Sequence, residues 1–162
     1  MRQTARTDRR KVKEIMPLTH CLPGVRDQQV INEMPCARWG FCTNGSLLEI
    51  WRVDKFRPMD IMKRCTVTEL TDWWHFWVES ALESGLIGAQ MSGEALRGTV
   101  VVFDLKGFGA KHLHSRMLRI LISLLGIGES KYPEGIHRVF ILNAPKIFSG
   151  TWTAIKPVLN AR

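Results

Sequence analysis

Asp104 stands just ahead of Gly107-Phe108-Gly109, at the end of the run Gly98 to Asp104 (GTVVVFD). Open α/β sheets place ligand-binding side chains at such strand ends. A carboxylate followed by glycines invites a nucleotide reading, but the dinucleotide fingerprint needs a third glycine where His112 stands. No G-x-x-x-x-G-K-[ST] loop occurs either. Hydrolytic chemistry lacks its parts as well. There is no G-x-S-x-G elbow, no H-E-x-x-H helix, and no pair of carboxylates that local spacing would bring together. Cys21, Cys36, Cys42 and Cys65 form no C-x-x-C pair. Together with His20 they could be assembled into a metal site only across long spacings, so buried inert thiols in a reducing compartment are the expectation. The sequence points away from an enzyme and implies no cofactor or metal.

Binding chemistry is the alternative, and charge is its first clue. The 162 residues carry a net charge of +8, yet residues 1 to 13 hold six Lys and Arg against Asp8, leaving the rest only mildly basic. That arm reads as a solvated tail, a phosphate-contacting arm, a membrane-surface patch or a leader. Six tryptophans could stack on nucleic-acid bases, but no RNP-type strand or Arg-Gly interleaving accompanies them, so nucleic acid is not an expected partner. The apolar run Ile120 to Gly128 is well short of the roughly 18 to 20 residues a membrane helix needs. The start of the chain lacks a secretory h-region. A cytoplasmic protein is expected.

These residues must be positioned by a layered fold. Residues 1 to 45 show scattered Pro, Gly and Cys without a sustained period and read as arm and irregular lead-in. Asn44-Gly45 is a turn signal, and Leu47 to Val53 (LLEIWRV) is a first strand buried on two faces. Thr66-x-x-Glu69 is a capping box. The helix it opens gathers Leu70, Trp73, Trp74, Trp77, Val78 and Ala81 on one face, with Gly85 placed to stop it. That tryptophan stripe reads as core, while Phe76 sits among the acids without an account.

Gly98 to Asp104 is a fully buried central strand. A helix over Ala110 to Leu125 then puts Leu113, Met117, Leu121 and Leu125 inside, with His114 on the apolar face as a hydrogen-bonded core residue and His112 on the polar face. Val139 to Leu142 is another buried strand, followed by a helical pattern through Phe148, Trp152, Ile155 and Leu159 that Pro157 limits or kinks. The alternation predicts an α/β fold: a mixed or parallel sheet with helices packed on it.

Three blocks taken in order carry a resemblance. They are Gly98 to Gly107 (GTVVVFDLKG), Tyr132-Pro133-Glu134, and Phe140 to Leu159 (FILNAPKIFSGTWTAIKPVL). They resemble the CRAL-TRIO lipid-binding domain, in the branch of the phosphatidylinositol and phosphatidylcholine transfer proteins. A weaker similarity runs back through Asn44 to Pro58, departing at Asp54, where the family often has Gly. The division implied is 1–33 as arm and lead-in and 34–162 as a partial domain, incomplete at its C-terminus because the family's next strand and gate helix would follow Leu159.

The resemblance implies an apolar cavity for a single lipid, phosphatidylinositol or another phospholipid or hydrophobic ligand, carried or presented between membranes. A peripheral membrane surface is then a partner, and the shortening is expected to impair transfer. Glu134 matches the acid of the family's inositol-headgroup site. Thr99 matches a hydroxyl of its choline-lipid site, whose second hydroxyl position is Val101 here. A degenerate, non-transferring module that docks a protein partner at the exposed sheet edge is the other expectation.

Overall fold

The structure, a computed structural model, describes residues 34–159. The basic arm, His20 and Cys21 fall outside those residues. Two strands open the fold, β1 (Cys36–Phe41) and β2 (Leu47–Arg52), followed by α1 (Pro58–Arg64) and the long helix α2 (Val67–Ser92). Strand β3 (Thr99–Asp104), helix α3 (Ser115–Lys131), strand β4 (Ile136–Leu142) and helix α4 (Phe148–Leu159) complete it. The sheet order is β1-β2-β3-β4. β1 pairs antiparallel with β2, and β2, β3 and β4 run parallel, so the expected mixed sheet is present.

β1 lies inside the stretch read as irregular. Its alternation is broken by a bulge between Arg38 and Gly40, and Gly40 itself sits at φ 112, which hides the period of 2 that marks a strand. The turn to β2 is the one Asn44-Gly45 signals. Gly45 is left-handed at φ 80, its N–H donates to the Cys42 carbonyl at 3.0 Å, and Asn44 Oδ1 accepts from the Ser46 N–H at 3.2 Å.

α2 begins at the capping box: Thr66 accepts from the Glu69 N–H, and Glu69 accepts from the Thr66 N–H at 2.8 Å. It does not stop at Gly85. It runs to Ser92 and ends on Gly93 in the left-handed region. Gly85 and Gly88 serve packing instead. A methyl on Gly88 would collide with the Gly45 carbonyl and the Phe41 ring, so the β1–β2 turn can lie directly on the helix only because that side chain is missing.

The tryptophan stripe is core, as the period implies. Trp73, Trp74 and Trp77 are buried with Leu70, Ile61, Met117, Ile120 and Leu124, and Phe76 packs half-buried against this cluster. Helix α3 starts later than its pattern suggests. Ala110–His112 is a 3-10 turn, and Ser115 is the first α-helical residue. That change of pitch reverses the two histidines. His112 becomes buried, whereas His114 is a half-buried N-cap residue whose Nδ1 has no partner among the described residues.

Asp104, the nucleotide candidate, is occupied structurally. Its Oδ1 accepts from Asn143 Nδ2 at 2.8 Å and from the Lys106 N–H at 3.0 Å, and these donors, Asn143 first, hold its pKa below the ordinary value. It locks the ends of β3 and β4 together. Among the described residues no group of three or more His, Cys, Asp or Glu could hold a metal.

Two glycines of the helices should respond oppositely to alanine. Gly88→Ala is expected to lower stability by about 1–3 kcal/mol through overpacking. Gly126→Ala, in α3 with open space around it, should raise stability by about 0.5–1 kcal/mol. Urea unfolding midpoints of the two variants check this; a tolerated Gly88→Ala would contradict the close approach of turn and helix.

Candidate functional site

The side chains of one sheet face do not meet the helices above them everywhere. Glu49 and Trp51 of β2, Thr99, Val101 and Phe103 of β3, and Val139 and Ile141 of β4 form a floor, each strand contributing alternate residues. Over it stand Trp74 and Trp77 of α2, Met117, Leu121 and Leu125 of α3, and Phe148, Thr151, Trp152 and Ile155 of α4. Between floor and cover lies an apolar cavity of about 240 Å³. This is slightly smaller than the roughly 300–1,000 Å³ usual for ligand sites. It runs along β3 from Thr99 to Leu105, about 20 Å at 3.3 Å per residue.

Among the described residues no Lys or Arg lines the cavity, and Glu49 and Glu129 are its acidic lining residues. Glu49 is the less expected of the two, a carboxylate only 4% exposed in the middle of β2. Register explains how it is tolerated. Arg38 of β1 lies opposite Glu49, and its Nε donates to Glu49 Oε1 at 3.2 Å. Trp77 Nε1 donates to Oε2 at 3.0 Å. The guanidinium also donates to the Trp77 carbonyl at 2.6 Å and to Ser80 Oγ at 2.9 Å, and lies 4.3 Å from the Trp77 ring centroid. Burial nevertheless raises the Glu49 pKa, against the opposing pull of Arg38 and the indole. The nearby Cys36 thiol is pushed up for the same reason, burial first and Glu49 second.

Of the two site residues read from the resemblance, Thr99 is in the cavity. It is buried at the N-terminal end of β3, and its N–H donates to the Gly135 carbonyl at 2.8 Å. Glu134 is not a lining residue. It is exposed on the loop before β4, in the left-handed region at φ 66. The same loop is tied to α2 by Tyr132, whose hydroxyl donates to Glu79 Oε1 at 2.7 Å and lies 3.1 Å from His75 Nδ1. Thr99 and Glu134 therefore mark one end of the cavity, the first inside and the second on its rim.

The opposite end is built by residues that sequence reasoning missed. His112 stacks on Phe108 with centroids 5.3 Å apart, and Phe108 meets Phe148 edge-on at 5.5 Å. His112 Nδ1 accepts from the Gly109 N–H at 3.0 Å. Burial lowers its pKa, with the Gly109 and Val53 backbones pulling weakly the other way, so the ring is neutral near pH 7. The Arg38–Glu49 pair could have been found only by reading β1 as a strand. A lone acid in LLEIWRV was the available signal.

This arrangement, a mixed sheet whose parallel strands floor an apolar cavity covered by α2, α3 and α4, is matched at the level of sequence. The family described as the CRAL/TRIO domain matches residues 40–162. The chain belongs to it. Similar relatives include the CRAL-TRIO domain-containing protein T23G5.2 of Caenorhabditis elegans, 25% identical over 73% of this chain and 16% of that protein. Another is the phosphatidylinositol/phosphatidylcholine transfer protein SFH13 of Arabidopsis thaliana, 24% identical over 83% of this chain and 22% of that protein. Among solved structures, that of Sfh5 superposes with a TM-score of 0.60 at 16% identity, over 90% of this chain and 51% of the other, which establishes a shared fold. The chain thus spans under a quarter of the length of these curated CRAL/TRIO relatives.

Arg38 is the residue to remove. Arg38→Met deletes the charge that pulls the Glu49 carboxyl down, so a pKa already raised by burial climbs further. A carboxyl with a raised folded-state pKa favours folding at low pH and costs stability as pH rises through that value. The variant should lose about 3 kcal/mol or more near pH 7.5 and distinctly less near pH 4.5, read from urea unfolding at the two pH values. Equal losses would mean that Glu49 ionisation plays no part.

Proposed function

We propose that this CRAL/TRIO chain binds one phospholipid in the cavity between sheet and helices and carries or presents it at membrane surfaces, without a covalent step. The observation that carries the reading is the cavity itself: an elongated apolar space with no cation on its walls. Each acyl CH₂ taken from a bilayer forfeits about 0.8 kcal/mol of burial, and only a dry apolar wall of this kind replaces it. The SFH13 relative, named as a phosphatidylinositol/phosphatidylcholine transfer protein, supports phosphatidylinositol or phosphatidylcholine as the ligand.

Within this reading Glu134 receives hydroxyls of an inositol ring. It is exposed, and its carboxyl oxygens accept from sugar O–H donors. Thr99, inside the same end, offers its hydroxyl to the polar part of a choline lipid. Peripheral contact with a membrane from the cytoplasmic side follows from that cycle. No helix among the described residues is long and apolar enough to cross a membrane.

The direct test is capture. Protein incubated with vesicles of phosphatidylcholine and phosphatidylinositol and re-isolated should carry close to one lipid per chain by solvent extraction and mass spectrometry. Val139→Trp, which fills the cavity from its floor, should reduce that at least several-fold while circular dichroism remains unchanged. Glu134→Gln should lower phosphatidylinositol capture selectively, and Thr99→Val phosphatidylcholine capture. Wild-type protein recovered free of lipid would overturn the reading.

A further inference from the structure

The cavity has a second polar end, remote from Thr99 and Glu134. Thr151 of α4 is 9% exposed and lines the cavity, yet its Oγ1 has no hydrogen-bond partner among the described residues. A helical threonine ordinarily returns its hydroxyl to a carbonyl of the preceding turn, as Thr153 does with Ser149 at 3.0 Å. His112, 7% exposed, also lines the cavity and presents an unpartnered Nε2. Its Nδ1 lies 3.0 Å from the Gly109 N–H and 3.3 Å from the Gly109 carbonyl, so Nε2 donates in one tautomer and accepts in the other. Phe108, stacked on His112 and edge-on to Phe148 one turn before Thr151, brings the two groups to the same end. Trp74 Nε1 is likewise unpartnered, but it packs on Gly128 between α2 and α3 and is not part of this cluster.

Two buried polar groups without partners are costly unless something supplies an oxygen that can bond to them. With no Lys or Arg among the described wall residues and a neutral imidazole, a phosphate or carboxylate does not fit here; an uncharged oxygen does. We infer that the His112–Thr151 end is a subsite for an uncharged oxygen, a carbonyl or hydroxyl, carried by the apolar part of the ligand. The inference rests on the lipid-binding reading and adds to it a chemical selectivity that an acyl-chain cavity alone would not have.

Such an oxygen has two sources. If the lipid lies with its headgroup near Thr99 and Glu134, then the length of β3, about 20 Å, separates that headgroup from His112, and the oxygen belongs to an oxygenated acyl chain. If the lipid enters from the C-terminal edge of the sheet, it is an ester carbonyl of the glycerol.

Competition between lipids sharing one headgroup distinguishes them. Vesicles mixing dialkyl-ether and diacyl phosphatidylcholine test the ester, and vesicles mixing plain and keto-chain diacyl phosphatidylcholine test the chain. In one of the two arms the oxygen-bearing lipid should be captured about fivefold or more over its partner. That preference should vanish in Thr151→Val, fall in His112→Phe, and persist in Thr151→Ser, which restores the hydroxyl. Lipid captured without preference in either arm, or a preference that survives Thr151→Val, overturns the subsite and leaves lipid binding standing. Capture of none of these lipids overturns both.

Discussion

The packing of Trp51 against the tryptophans of α2 sets the height at which that helix rides over the sheet, and the cavity exists because of that height. Trp51 meets Trp73, Trp74 and Trp77 with centroids 6.1 to 6.4 Å apart, while Trp73 and Trp77 stack on each other at 5.8 Å. Indoles are the largest side chains available, and edge-to-face contacts among them add to the area they bury. Smaller aliphatics would let α2 settle onto Val101 and Phe103 and erase the space between. Trp51 also touches Phe103 across β3 at 5.8 Å, so the spacing is carried sideways into the floor. The same residues that read as core are thus also wall: Trp74 and Trp77 belong to the buried cluster and to the cavity lining at once.

That scaffold contains a charge where an apolar residue would be simpler. Glu49 and Arg38 are an ion pair with both side chains under a tenth exposed, and such pairs seldom outperform well-packed hydrophobic replacements. Its geometry suggests what it contributes instead. Arg38 reaches from β1 across β2 to the Trp77 carbonyl and Ser80 of α2, while Glu49 takes the Trp77 indole N–H. One pair therefore fixes the edge strand, its neighbour and the helix in a single register, which apolar contacts, lacking direction, do less sharply. The carboxylate is satisfied by Arg38 Nε and the Trp77 indole N–H, leaving that wall polar in composition but not in need of a ligand.

How far the sequence showed this depends on the range of the interactions. The capping box at Thr66 and Glu69, the tryptophan stripe, and the two apolar strands around Val101 and Val139 are local patterns, and the structure contains them. The ordered blocks GTVVVFDLKG, YPE and NAP identified the CRAL-TRIO family through spacing that no single element explains. What stayed hidden was non-local or phase-dependent. β1 is legible only through its partner, because the bulge after Arg38 breaks its alternation. Gly85 looked like a stop, yet within α2 it is buried near Leu96; a glycine admitted for close approach and one that ends a helix are the same letter. His112 and His114 exchanged roles because the α-helix starts only at Ser115: His112 ends a 3-10 turn and His114 is extended, so the 100° wheel applies to neither. Thr99 lines the cavity, whereas Glu134, drawn from the same resemblance, is exposed on the loop before β4.

A cavity of about 240 Å³ must enlarge to take a two-chain lipid, and the covers are not equally anchored. α2 is held by the indole cluster and by the Arg38–Glu49 pair. α3 is held by the close packing of Trp74 on Gly128, and its C-terminal end by the Tyr132 hydroxyl on Glu79. α4 has neither. Its side-chain hydrogen bonds are local, Ser149 to the Lys146 carbonyl and Thr153 to the Ser149 carbonyl. It meets the rest of the cavity through the aromatic contacts of Phe148 and through buried Ile155. Pro157 removes a further backbone bond from its last turn. Sliding apolar contacts costs area gradually, whereas moving α2 breaks the buried Arg38–Glu49 pair and moving α3 breaks the Tyr132–Glu79 hydrogen bond and its close packing at Gly128. Expansion of this cavity at least cost therefore displaces α4, the helix that bears Thr151. The group that meets the ligand's oxygen rides on the cover that the ligand must move.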